Sequence, residues 1–140
     1  MKFDVVTIFP RMVLAGLAEG VVSRGIVRGL IDLAVHDLRD YTADRHRSVD
    51  DVPYGGGGGM VLMPGPLFGT VEAIRELHPA SSSRTILLCP QGTRYDQAQA
   101  RRLSEFGRLI LICGHYEGVD ERVREHLIGL ISALSVTRCD

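Results

Sequence analysis

Three short, β-branched apolar runs, each stopped at once by proline or glycine, constrain this chain more than any other feature. FDVVTIF at residues 3–9 ends on Pro10, TILLC at 85–89 ends on Pro90, and LILIC at 109–113 ends on Gly114. Runs of this length and composition read as buried strands. Ile31, Leu33 and Val35 alternate and suggest another strand, and residues 60–63 a brief one. Helical spacing fills the intervals. Pro10 suits the first turn of a helix over 12–19, and Gly20, Gly25 and Gly29 punctuate a second, shorter helical piece. Thr70 is the expected N-cap of a helix with Val71, Ile74 and Leu77 on one face. Residues 80–83 read as a surface turn and 96–106 as a helix, while Val119, Val123 and Leu127 share another helical face. Alternating strands and helices predict an α/β domain with a mainly parallel sheet flanked by helices. Ligands of such sheets gather at the carboxyl ends of the strands.

The chain given has 140 residues, enough for one domain with a real core, and is 45% hydrophobic and 24% charged. Its formal charge of −1 argues against a general nucleic-acid coat. An RNA read by shape and a few placed groups stays compatible with it. Cys89, Cys113 and Cys139 show no CxxC spacing, and the five histidines show no metal-ligand pattern, so no metal is expected. The start, MKFDVVTIFP, lacks a signal peptide's cleavage pattern, and no apolar run approaches the ~20 residues that span a bilayer. A reduced, cytoplasmic protein is expected.

Three stretches carry chemistry. The first, residues 39–60, reads RDYTADRHRSVDDVPYGGGGGM. From His36 to Gly59 the chain is polar and then glycine-rich, without periodicity, which predicts a long loop. Consecutive glycines let a ligand approach the main chain. A dinucleotide fingerprint fails on context, because no strand precedes the glycines directly and MVLMPGP, not a helix, follows. A passive linker is the plain alternative, but Asp50, Asp51, Tyr54 and Met60 flank the glycines where a linker would carry serine. The second stretch is LLCPQG at 87–92, a strand expected to end in a tight turn. By itself it is an ordinary strand-to-helix turn. The third, ICGHYEGVDER at 112–122, presents His115, Tyr116 and Glu117 after a buried strand. Asp120 is placed to cap the next helix, which leaves the HYEG turn without a structural explanation.

Taken with TIFP at 7–10, these stretches resemble the tRNA (guanine-N1)-methyltransferase family of the knotted SPOUT superfamily. The resemblance covers about residues 1–128 and implies a SPOUT-like α/β fold whose carboxyl-terminal section threads a trefoil knot. It implies S-adenosylmethionine as cofactor, bent among the knot loops, a homodimer that builds each site from both subunits, and tRNA as substrate. On this sequence the family's cofactor loops fall on Leu88, Pro90, Gln91, Gly92, Gly114, Tyr116 and Glu117. The target guanine falls on Asp51, Tyr54, Gly55, Gly56, Gly57 and Gly59. The reaction implied moves a methyl group to N1 of the guanine 3′ of the anticodon.

Residues 129–140, GLISALSVTRCD, depart from the family's SIGDYVLTGGE-like pattern, which forms its last cofactor loop and leads into the knot-closing helix. The expected division is therefore a partial methyltransferase domain over 1–128 and a non-matching tail over 129–140. The knot is expected to be incomplete, with the helical carboxyl-terminal domain and its aspartate base outside these residues. No catalytic base is assigned. Two other function classes stay open at this point, a truncated or frame-disrupted family member without activity and a non-catalytic RNA- or nucleotide-binding module.

Overall fold

Alternation along β1 (Lys2–Thr7) sets the two faces of the sheet. The computed structural model describes residues 1–79, 82–115 and 118–123, and the backbone of 131–135. Val6 points to one face, where it clusters with Leu87, Ile110 and Ile112 under Leu67, Val71 and Ile74. Phe3 points to the other, where it meets Ile86, Leu109 and Leu111 beside Leu103 and Phe106. Being apolar on both faces is what a fully covered parallel sheet requires. Each leucine or isoleucine buried there contributes roughly 1.5–3 kcal/mol.

After β1 come α1 (Pro10–Gly16), α2 (Gly20–Val27), β2 (Asp32–Asp37) and a 3₁₀ turn (Leu38–Tyr41). Then follow β3 (Asp50–Asp51), β4 (Val61–Leu62), α3 (Pro64–Leu77), β5 (Ser83–Arg94), α4 (Gln97–Leu103), β6 (Arg108–Cys113) and β7 (Ile131–Ser135). The main sheet has the order β2-β1-β6-β5-β7, and every pairing in it is parallel. The expected α/β class and its central strands are thus present, with α3 on one face and α4 on the other. Asp96 caps α4 by accepting from Gln99 N at 2.8 Å.

Four local expectations are corrected. Helix α3 begins at Pro64, not Thr70, because prolines in a first turn sacrifice no intrahelical hydrogen bond. Thr70 is fully buried mid-helix, and its hydroxyl donates to Pro66 O at 2.7 Å. The supposed loop from His36 to Gly59 is partly regular. His36 belongs to β2, and β3 pairs antiparallel with β4, so the glycines form the tip of a short ribbon. Val49 and Leu62 bury that ribbon's base in the core. Strand β5 does not end at Pro90 but runs on to Arg94. Leu88 and Thr93 both align with Leu134 of β7, so residues 89–92 bulge out between them. Proline, which cannot donate to a ladder, is tolerated where the ladder is interrupted. Finally, β7 was not anticipated: residues 131–135 join the sheet beside β5. The expected turn at 80–83 lies partly, and Leu127 wholly, outside the described residues.

Helices α1 and α2 contain no buried residue, and Met12, Leu14, Val21 and Val27 are exposed on them. Among the described residues no helix is long and apolar enough to cross a membrane.

Candidate functional site

The four separated sequence stretches meet around the carboxyl ends of β1, β6 and β5. Phe9, just past β1, sets its ring edge-on to His115, just past β6, with centroids 4.8 Å apart. Thr7 Oγ1 accepts from Phe9 N, which fixes the exit of the strand. Cys113 pairs with Leu88, so β6 ends beside the point where β5 begins to bulge. Gly114 then passes close to that point, since a Cβ built on it would lie 3.5 Å from Leu88 O. Pro90 and Gln91 are exposed there, and Gly92 is half-buried. The expected adjacency of the PQG and GHYEG segments therefore holds for the described residues. Tyr116 and Glu117 lie outside them.

The glycine-rich tip is tied to the same place. Leu62 N donates to Gly118 O at 3.0 Å, and Asp120 N donates to Leu62 O at 3.1 Å, so β4 holds the segment after the HYEG turn. Gly55, Gly56, Gly57 and Gly59 all adopt positive φ, between 87° and 131°. Side-chain-bearing residues rarely adopt that conformation, which explains the run of glycines as a backbone requirement. At Gly55, Gly56 and Gly57 a Cβ would meet nothing within 4 Å, so the tip is open to whatever approaches it. Asp51 accepts from Val52 N and Tyr54 stands out at 81% exposure.

One residue that sequence reasoning passed over, Arg122, stands out through its partners. Asp120 is buried and accepts from Arg122 N at 2.9 Å, the expected cap. It also accepts from Arg122 Nε and Nη2, both at 2.8 Å, in a bidentate pair. Arg122 Cζ in turn lies over the Tyr54 ring, 5.2 Å from its centroid. The i, i+2 spacing of Asp and Arg at a helix start was the available signal, but only the fold brings Tyr54 to meet it. Hydrogen bonds from Arg122 hold the Asp120 carboxyl below the ordinary carboxylate range. A lowered carboxyl stabilises the folded state above its unfolded pKa, and that contribution fades as pH falls through the folded value. Asp120→Asn is accordingly expected to narrow the stability difference between neutral and strongly acidic solution, read as melting temperature against pH. An unchanged slope would show that the pair contributes nothing.

Burial pushes the Cys113 thiol up, so it is protonated near neutrality and a poor nucleophile.

The family model described as tRNA (Guanine-1)-methyltransferase TrmD matches residues 1–136. The chain belongs to this family. A relative from Dehalococcoides mccartyi named tRNA (guanine-N(1)-)-methyltransferase is 51% identical over 127 residues, covering 91% of this chain and 51% of that protein. One of the same name from Geobacter sulfurreducens is 49% identical over 125 residues, covering 89% of this chain and 50% of its own length. The crystal structure of tRNA (m1G37) methyltransferase from Aquifex aeolicus superposes with a TM-score of 0.82 at 34% identity. That superposition covers 98% of this chain and 61% of the other. The chain spans about half the length of the curated relatives it matches. The family match runs through β7.

Proposed function

We propose that the protein carrying these residues methylates N1 of the guanine 3′ of the anticodon in tRNA, with S-adenosylmethionine as donor. The observation that carries this reading is the meeting of the TIFP exit, the glycine tip, the β5 bulge and the segment after β6 around one end of the sheet. The cofactor fits the chemistry of that end. Residues 89–92 leave the β5–β7 register, which frees main-chain groups for an adenine edge. Gly114 leaves its backbone bare beside Leu88 O. Leu88, Pro90, Gln91, Gly92 and Gly114 would hold the nucleoside part, with Tyr116 and Glu117 completing the pocket. When bound, the sulfonium supplies the methyl group.

The chain's own residues bind and orient. Gly55, Gly56, Gly57 and Gly59 let the guanine approach the main chain, while Asp51 and Tyr54 border it. The proton on N1 needs an acceptor, and Asp120 is unsuited to that task because Arg122 occupies both its oxygens. The base is assigned to residues outside this chain. A homodimer accords with the exposed apolar side chains of α1 and α2, and a tRNA substrate accords with a cytoplasmic location.

The test is transfer of labelled methyl from S-adenosylmethionine to unmodified tRNA by the full-length protein. Label is expected with guanine 3′ of the anticodon and not with adenine there. Equal labelling of both, or none of either, overturns the proposal.

A further inference from the structure

Tyr54 presents a large aromatic ring at 81% exposure, beside glycines that add no side chain around it. A solvated tyrosine at the tip of a glycine loop should be free to swing. Arg122 lies across this ring at 5.2 Å, a contact that biases its orientation by about 0.5–1 kcal/mol at an exposed site. Arg122 is itself pinned by a bidentate pair to Asp120, which is 4% exposed and rooted where its own backbone pairs with β4. A buried carboxylate thus orients a guanidinium, and the guanidinium orients an exposed ring. With Arg122 against the ring and most of the side chain still accessible, Tyr54 retains apolar surface that no partner covers among the described residues.

We propose that Arg122, held by Asp120, is a positioning residue that backs Tyr54 as a stacking platform for the purine delivered to the glycine tip. This rests on the tRNA reading above and specifies how the base is held. Unstacked bases are recognised by stacking on aromatic rings, and every base has a face suited to it. A guanidinium behind the ring restrains it before the base arrives, so less ordering remains for binding. A phosphate contact from Arg122 is the competing account, and the two differ in whether the base itself matters.

The test measures the affinity of the full-length protein for two anticodon stem-loop RNAs by fluorescence anisotropy. One carries guanine 3′ of the anticodon, and the other has an abasic residue at that position. Tyr54→Leu is expected to weaken binding of the intact RNA about tenfold, since base–aromatic stacking falls in the range of that loss. The abasic RNA should be nearly indifferent to the change, and Tyr54→Phe should restore the intact RNA's affinity. Arg122→Gln should weaken the intact RNA several-fold and spare the abasic one, with melting temperature reporting that the fold persists. Equal weakening of both RNAs by Arg122→Gln, with a shallower salt dependence, would make Arg122 a phosphate contact and overturn its positioning role. Wild-type binding that Tyr54→Leu leaves untouched would overturn the platform alone. No wild-type binding to either RNA would overturn the tRNA reading and the platform with it.

Discussion

Asp4→Ala is expected to destabilise the fold by about 3–5 kcal/mol, the cost of stranding a buried charge. Asp4 sits in the middle of β1 at 5% exposure. Its Oδ2 accepts from Arg108 Nη1 at 2.8 Å across 104 residues of sequence, and its Oδ1 meets His36 Nε2 at 2.8 Å. Arg108 is 3% exposed, and its Nε has no hydrogen-bond partner among the described residues. Removing the carboxylate would leave the guanidinium unpaired in a place water reaches poorly. His36 would also lose the anchor that lets its Nδ1 meet the Tyr41 hydroxyl at 3.2 Å. Burial holds the Tyr41 phenol above its ordinary range, with Asp40 and Asp4 adding to it, so the hydroxyl stays protonated there. The measurement is urea or thermal unfolding, where such a loss lowers the midpoint by roughly 10–20 °C. The paired change Asp4→Leu with Arg108→Met should recover most of the loss, because apolar groups of similar volume often replace a buried pair at no net cost. If Asp4→Ala cost under about 1 kcal/mol, the network would be incidental to the fold.

A polypeptide of residues 1–140 is expected to transfer methyl groups at least 10²–10⁴-fold more slowly than one extended by the family's carboxyl-terminal half, roughly the contribution of a positioned general base. The curated relatives are about twice as long as the matched region. Of the described carboxylates around the site, Asp120 is paired to Arg122, and Asp51 is exposed and accepts from Val52 N. Alignment of N1 on the methyl group adds to the deficit, since good orientation can supply ~7–11 kcal/mol of barrier lowering. Single-turnover transfer of labelled methyl to unmodified tRNA, at saturating S-adenosylmethionine, separates slow chemistry from weak binding. Comparable single-turnover rates for the two proteins would place the base within residues 1–140.

The amino-acid sequence by itself determined the central buried strands, the parallel class, the cap at Asp120, and the segments that meet at the candidate site. Each of these is local or repetitive: an apolar run, a side chain that bonds its own helix start, a motif with fixed internal spacing. Local chemistry also has limits within a few residues. Pro90 reads as the end of a strand and Thr70 as the cap of a helix, yet the first lies in a bulge and the helix already opens at Pro64. Both outcomes depend on whether a backbone N–H was needed at that point, which neighbours across the sheet or along the helix decide. The glycine stretch shows its freedom in sequence, but not its attachment. Only the tertiary structure made it the tip of the β3–β4 ribbon and brought Tyr54 under Arg122. The same holds for Asp4, a lone acid in an apolar strand until Arg108 and His36 arrive from distant strands. A buried charge is tolerable only beside its partner, and a partner 104 residues away is set by strand order and register rather than by anything nearby in the chain.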